Sequence, residues 1–301
     1  MPSLNLSFRH LPGQASHILE QKSLPENTVV LNPSIAHPIL YLRTIRHTKI
    51  EEYNSAILYD IVKKTTHHID TPWDKLLKNV NMFKGIEDLR ITWYKSKLWF
   101  AGTCTHCSGD MTSALIIGYF DKNYTKVERI SHVDIGSLPV KNMSLYVFED
   151  KLFMLDIYLK AIYEITEEFE EDAKTFKGFV ATLVMPLKCA EGLSIEGLRG
   201  STAAVHIHGN TYGCIIHDII FNDQTRLVTR LSYLHIYMEF DVKTGTVTFL
   251  SSPFWIANWG IEYCSGFALH PNKNDVELYV GVNDQQAVNY KTTLYDLRCG
   301  K

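Results

Sequence analysis

The chain has 301 residues, 46% of them hydrophobic and 12% aromatic, which is enough apolar side chain for a large core. Its 30 basic and 33 acidic side chains leave a formal net charge of -3, which argues against a nucleic-acid binder driven by phosphate neutralisation. No apolar run approaches the roughly 20 residues of a membrane span and no hydrophobic targeting segment opens the chain, so the expectation is a soluble, cytoplasmic protein whose six scattered cysteines are free thiols.

Residues 1–28 alternate weakly at Leu4, Leu6 and Phe8 and then turn polar, an N-terminal arm expected to pair with the last β unit. Asn32-Pro33-Ser34 opens the first unit, with strands over residues 40–46 and 55–60. Arg43 and Arg46 fall on opposite faces of such a strand, so at most one points inward, and either is more often a solvated edge charge than a ligand contact. Residues 61–80, with His67-His68 and no third ligand at a supporting spacing, read as a connection between units.

Residues 85–94 set Glu87, Asp88 and Arg90 directly against a core strand, and Lys95-Ser96-Lys97 is a tight turn into a second strand over 98–103. Cys104 and Cys107 have zinc-type spacing without a second pair, so no metal is expected; His106 and Ser108 belong to a polar loop within reach of ligand hydroxyls. Lys141-Asn142-Met143-Ser144 opens the third unit, where Asp156 ends a strand and the acidic run 165–172 is a solvated connection. The fourth begins at Leu198-Arg199-Gly200-Ser201-Thr202. In it, His206 and His208 flank an outer turn, His217 is the histidine expected at a pocket, and Tyr233, His235 and Tyr237 share a strand face. Glu262-Tyr263-Cys264-Ser265-Gly266 opens the fifth, and residues 280–284 bring Asp284 to a strand end facing a central cavity.

The leading polar residues Asn32, Glu87, Lys141, Arg199 and Glu262 recur at intervals of about 54 to 63 residues, the period of repeated all-β units that need neighbours to bury their faces. The expected architecture is all-β, a single five-bladed β-propeller domain over residues 1–301, with the polar clusters on inner strands pointing at the axis.

On Asn32-Pro33, Glu87-Asp88-Leu89-Arg90, Lys141-Asn142-Met143-Ser144, Leu198-Arg199-Gly200-Ser201-Thr202 and Glu262-Tyr263-Cys264-Ser265-Gly266 with Gly281-Val282-Asn283-Asp284, the sequence resembles the five-bladed propeller family of β-mannoside phosphorylases and hydrolases and the related mannosyltransferases. The match runs in order from about residue 30 to 290. Leu89 stands where family patterns usually read proline, and Met143 where relatives commonly carry an aromatic residue. The resemblance implies inverting glycosyl transfer, mannosyl above all, with Asp88 as the general acid/base. Asn32, Glu87, Arg90, Lys141, Asn142, Asp156, Arg199, Glu262 and Asp284 are the candidate substrate contacts.

A glycosyl group passes through an oxocarbenium-like state, and a single carboxylate suffices if the nucleophile arrives charged, as phosphate does. Phosphate would need cations, for which Arg90, Lys141, Arg199 and His217 are the candidates. The partners are then a sugar donor, either a sugar 1-phosphate or a nucleotide sugar, and an acceptor glycan. A hydrolase would need a second carboxylate to activate water, from Glu262 or Asp284. The sequence has no DxD metal motif, Gly-rich dinucleotide fingerprint, P-loop or GxSxG elbow, and no cofactor is expected. The alternative is a non-catalytic sugar- or protein-binding propeller, since one fold hosts unrelated functions.

Overall fold

Short runs of β-branched and aromatic residues, alternating with polar ones and punctuated by two-residue turns, favour antiparallel hairpins throughout the chain. The computed structural model describes residues 9–18, 28–47, 52–69, 83–84, 87–105, 113–136, 142–171, 174–200, 202–221, 230–256, 261–283 and 285–299. These residues form five sheets and one short helix, so the fold is nearly all β, as expected.

The sheets follow one another along the chain. The first is Thr28–Ala36, Ile39–His47, Glu52–Asp60 and Thr65–Ile69, with Phe83–Lys84 added in parallel. The second is Glu87–Tyr94, Lys97–Thr105, Ser113–Phe120 and Val127–Val133. The third is Ser144–Phe148, Lys151–Asp156, Ala161–Phe169 and Phe176–Pro186. In the fourth, Arg199–Gly200 and Val205–His208 both pair with Thr211–Phe221, followed by Arg230–Asp241 and Thr246–Leu250. Glu262–Leu269, Asp275–Val282 and Gln286–Thr293 make the fifth, and Gln14–His17 from the N-terminal arm joins it antiparallel to Gln286–Thr293.

Two sequence readings change. Thr65–Ile69, within the expected connection, is the outer strand of the first sheet, because its β-branched residues complete a ladder with Ala56–Asp60 and bury Ile69. The acidic run is likewise the end of the strand Ala161–Phe169, where Glu167 meets Arg129 at 2.9 Å and Glu168 meets Lys177 at 2.9 Å.

Each sheet has two apolar faces, which neighbouring sheets cover. Tyr41 and Leu58 of the first pack with Ile91 and Phe100 of the second. Trp99 and Ile117 of the second meet Leu145 and Met154 of the third. Tyr146 and Ile162 of the third meet Cys214 and Phe240 of the fourth. Ile215 and Tyr237 of the fourth meet Phe267 and Leu278 of the fifth. Tyr279 of the fifth then packs with Leu40 and Leu42 of the first. Burying each such side chain contributes roughly 1.5–3 kcal/mol. The first strands are also stitched across sheet boundaries by polar bonds: the Ser34 hydroxyl accepts from the Ile91 N–H at 3.2 Å, and the Ser265 hydroxyl donates to the Pro33 carbonyl at 2.8 Å.

The expected hairpin at Lys95-Ser96 forms with both residues in the left-handed region, φ 48° and 57°, the type I′ pattern. Side chains with a Cβ are disfavoured there by roughly 1–2 kcal/mol per residue. Lys95→Asn combined with Ser96→Gly is therefore expected to stabilise the protein by about 1 kcal/mol, seen as a higher urea midpoint at unchanged slope.

Candidate active site

The first strands of the first two sheets each carry one residue more than their partner strands can match, between Leu31 and Ser34 and between Glu87 and Arg90. Such a bulge takes side chains out of the ladder's alternation and re-aims them. Asn32 (φ 43°) and Asp88 (φ 54°) occupy the left-handed region at these bulges, and Asn142 (φ 62°) does so just ahead of the third sheet's first strand. Asparagine and aspartate are the residues other than glycine that tolerate it best.

All three line one cavity of ≈ 330 Å³, together with Arg43, Glu87, Arg199, His217, Tyr233 and Tyr263. The volume lies within the range of small-molecule pockets. Of the residues expected to form a site, Asn32, Glu87, Asp88, Asn142, Arg199 and His217 therefore meet, from five stretches of chain.

Asp88 is held on one side. Its Oδ1 accepts from Asn32 Nδ2 at 2.6 Å and from Arg43 Nη1 at 3.0 Å, whereas Oδ2 has no partner among the described residues and the side chain keeps 22% exposure. Burial pushes the Asp88 pKa up, but the charges of Arg43 and Arg90 and the bonds from Asn32 and Arg43 outweigh it and leave the carboxyl below its ordinary range. Asp88 is thus a carboxylate at neutral pH. Arg43 also reaches Glu87 at 3.7 Å. Arg199 pairs with His217 through the strand ladder, and its side chain has no ion-pair or hydrogen-bond partner among the described residues.

The neighbouring glycine holds this geometry. A Cβ on Gly281 would lie 2.5 Å from Asn32 Oδ1 and 3.0 Å from the Asn32 backbone nitrogen. Gly281→Ala is expected to displace Asn32 and weaken a charge-assisted bond worth about 1.5–3 kcal/mol, seen as a lower urea midpoint at unchanged slope.

Other expected site residues lie elsewhere. Arg90 is fully buried beneath the cavity: its Nη1 donates to the Asp88 carbonyl, its Nη2 to the Tyr263 hydroxyl, and its guanidinium lies 5.3 Å from the Tyr263 ring centre. It braces Asp88 from below and is not placed to hold phosphate. Glu262 is fully buried and accepts the Ile256 N–H at 2.9 Å, because the adjacent Tyr263 takes the cavity side. Asp156, 1% exposed, accepts the Leu159 N–H at 2.9 Å and caps a turn outside the cavity; burial raises its pKa against those donors. Lys141 and Asp284, with His106, Cys107 and Ser108, lie outside the described residues.

Three cavity residues were not foreseen in this role. Arg43 is the carboxylate's counter-ion, not a solvated edge charge. Tyr263 donates to Asn142 Oδ1 at 2.6 Å, and burial raises its pKa, which keeps it a neutral phenol. Tyr233 completes an aromatic wall with His217 and Tyr263, with ring centres 5.1 to 5.5 Å apart. His235, on the same strand, instead accepts the Cys264 N–H at 3.2 Å inside the core, and burial pushes its pKa down to about 3.

A solved mannose phosphorylase from Leishmania mexicana, in complex with phosphate ion, matches over 90% of this chain and 86% of its own at a TM-score of 0.56 and 13% identity. The fold is shared with mannose-acting phosphorylases. A β-1,2-mannobiose phosphorylase from Listeria innocua matches over 91% of this chain and 93% of its own (TM-score 0.54, 12% identity). A GDP-Man-dependent mannosyltransferase from Leishmania mexicana covers 96% and 92% at a TM-score of 0.60 and 12% identity. No protein-family model matches the sequence, and no curated protein matches it either. At these identities the likeness carries the fold, and it agrees with the family resemblance drawn from the sequence motifs. Among the described residues no helix is long and apolar enough to cross a membrane.

Proposed function

We propose that the five sheets are the blades of a propeller and that the cavity is the active site of a carbohydrate-active enzyme, an inverting mannosyl transferase or phosphorylase. The observation that carries this is Asp88: one oxygen clamped by Asn32 and Arg43, the other unpartnered, in a sugar-sized cavity that also holds Arg199.

A depressed pKa suits a base in the direction of glycoside synthesis. The acceptor oxygen attacks C1 of the donor on the face opposite the phosphate and the new C1–O bond forms. The C1–O bond to phosphate breaks with its electron pair staying on the leaving group, and the acceptor proton passes to Asp88 Oδ2. One displacement inverts the anomeric centre. Arg199 and His217 are suited to neutralise the departing phosphate or nucleotide diphosphate. In reverse, phosphate attacks C1 and Asp88 returns the proton to the leaving oxygen. A bound anion raises the Asp88 pKa by like charge, which favours the protonated form that phosphorolysis requires. Of the two carboxylates expected to activate water in a hydrolytic route, Glu262 does not reach the cavity and Asp284 lies outside the described residues, while Glu87 lines the cavity beside Asp88.

The test is incubation with mannose 1-phosphate and with GDP-mannose, each with a panel of sugar acceptors, reading product and released phosphate or GDP. The anomeric configuration of the first-formed product reports inversion. Sugar binding without product from either donor would instead establish a non-catalytic binding protein.

A further inference from the structure

The cavity has a second chemical character. In the first sheet Leu31 pairs with Arg43, and two residues further toward one end Val29 pairs with Ile45. Period-2 alternation keeps these on one face. In the fourth sheet Ile219 lies two residues past His217 and pairs with Tyr233; in the fifth, Ile261 lies two residues before Tyr263. Three sheets therefore repeat one step, from a residue of the polar floor to an aliphatic one at the same end of the sheet. Val29, Ile45, Ile219 and Ile261 all line the cavity and are half-buried, so they remain in contact with water there.

A partial collar of β-branched side chains from three sheets, in which Tyr233, opposite Ile219, is a polar side chain at that level, offers sugar hydroxyls few partners there, whereas an apolar group would find contact on several sides. The geometry points to an acceptor that carries an apolar group beside its reacting sugar, an alkyl or aryl glycoside, with the aliphatic collar as the site for that group. This rests on the transfer reading above, which assigns the floor to the reacting atoms. Each methylene fully removed from water raises affinity about fourfold. A hexyl chain half-enclosed by the collar is then expected to gain at least roughly tenfold over a methyl group.

The experiment compares methyl and hexyl β-mannoside as acceptors with mannose 1-phosphate or GDP-mannose. The expected result is a KM at least roughly tenfold lower for the hexyl glycoside, with the ratio falling toward one in Ile45→Thr combined with Ile219→Thr. Because the ratio is read within one protein, a general loss of activity in the double variant does not imitate it. Equal KM values for the two acceptors in the unmodified protein would overturn the collar assignment while leaving transfer intact. If neither donor gives product, the transfer reading fails, and calorimetric binding of the two mannosides still decides the collar. Tighter hexyl binding that the double substitution abolishes supports it, and equal affinity overturns it.

Discussion

Replacing Asp88 with asparagine is expected to lower transfer by roughly 10²–10⁴-fold, the usual contribution of a positioned acid or base, with little change in the unfolding midpoint. Asparagine keeps the shape of the side chain and accepts the left-handed backbone at φ 54°, so the bulge survives. Its amide oxygen can still receive the bonds from Asn32 and Arg43, yet the group cannot take a proton. Alanine would be a poorer probe, because it removes the oxygen that both neighbours bind and fits that backbone region less well. Turnover in Asp88→Asn within tenfold of the unmodified protein would remove Asp88 from the proton transfer and turn attention to Glu87, the other carboxylate lining the cavity among the described residues.

The second large effect concerns Arg43. Burial alone would raise the Asp88 pKa, and Arg43 is the first of the groups that reverse it. In Arg43→Gln the Asp88 pKa is expected to rise, because the first of the charges that hold it down is gone. In the synthetic direction the acid limb of kcat/KM then moves to higher pH by the same amount. The sign for stability follows from linkage. A folded-state pKa below the ordinary 3.8 contributes stability that is present above that value and lost as pH falls through the lowered one. Removing Arg43 leaves a largely buried carboxylate with one charge partner fewer, at a cost of about 3 kcal/mol near neutral pH. That deficit should shrink as the pH falls below the ordinary carboxylate range and Asp88 takes up a proton in both proteins. Urea midpoints across this range check it. A deficit that does not vary with pH would mean that Arg43 contributes by packing alone, and an unmoved acid limb would separate Asp88 from the rate.

The all-β fold and much of the site were legible in the chain itself. Hairpins are local: alternation and a two-residue turn such as Lys95-Ser96 specify them within a dozen residues or so. Polar clusters that recur ahead of core strands are equally visible, which is why Asn32, Glu87, Asp88, Asn142 and Arg199 could be named before their convergence in one cavity was known. Which face each neighbour presents was not legible, because a single inserted residue inverts the alternation and nothing in the pattern marks where it is inserted. One such bulge lies between Cys264 and Gly266, just past the adjacent pair in which Tyr263 faces the cavity and Glu262 the core. Arg43 reads as one of two charges on a strand until Asp88, 45 residues away, comes within 3.0 Å of it. The chain by itself determined the strands, the turns and the stock of reactive groups, since these depend on neighbours in sequence. Only the tertiary structure decided which carboxylate faces the cavity and which cation keeps it ionised, because both depend on how separate sheets pack against one another.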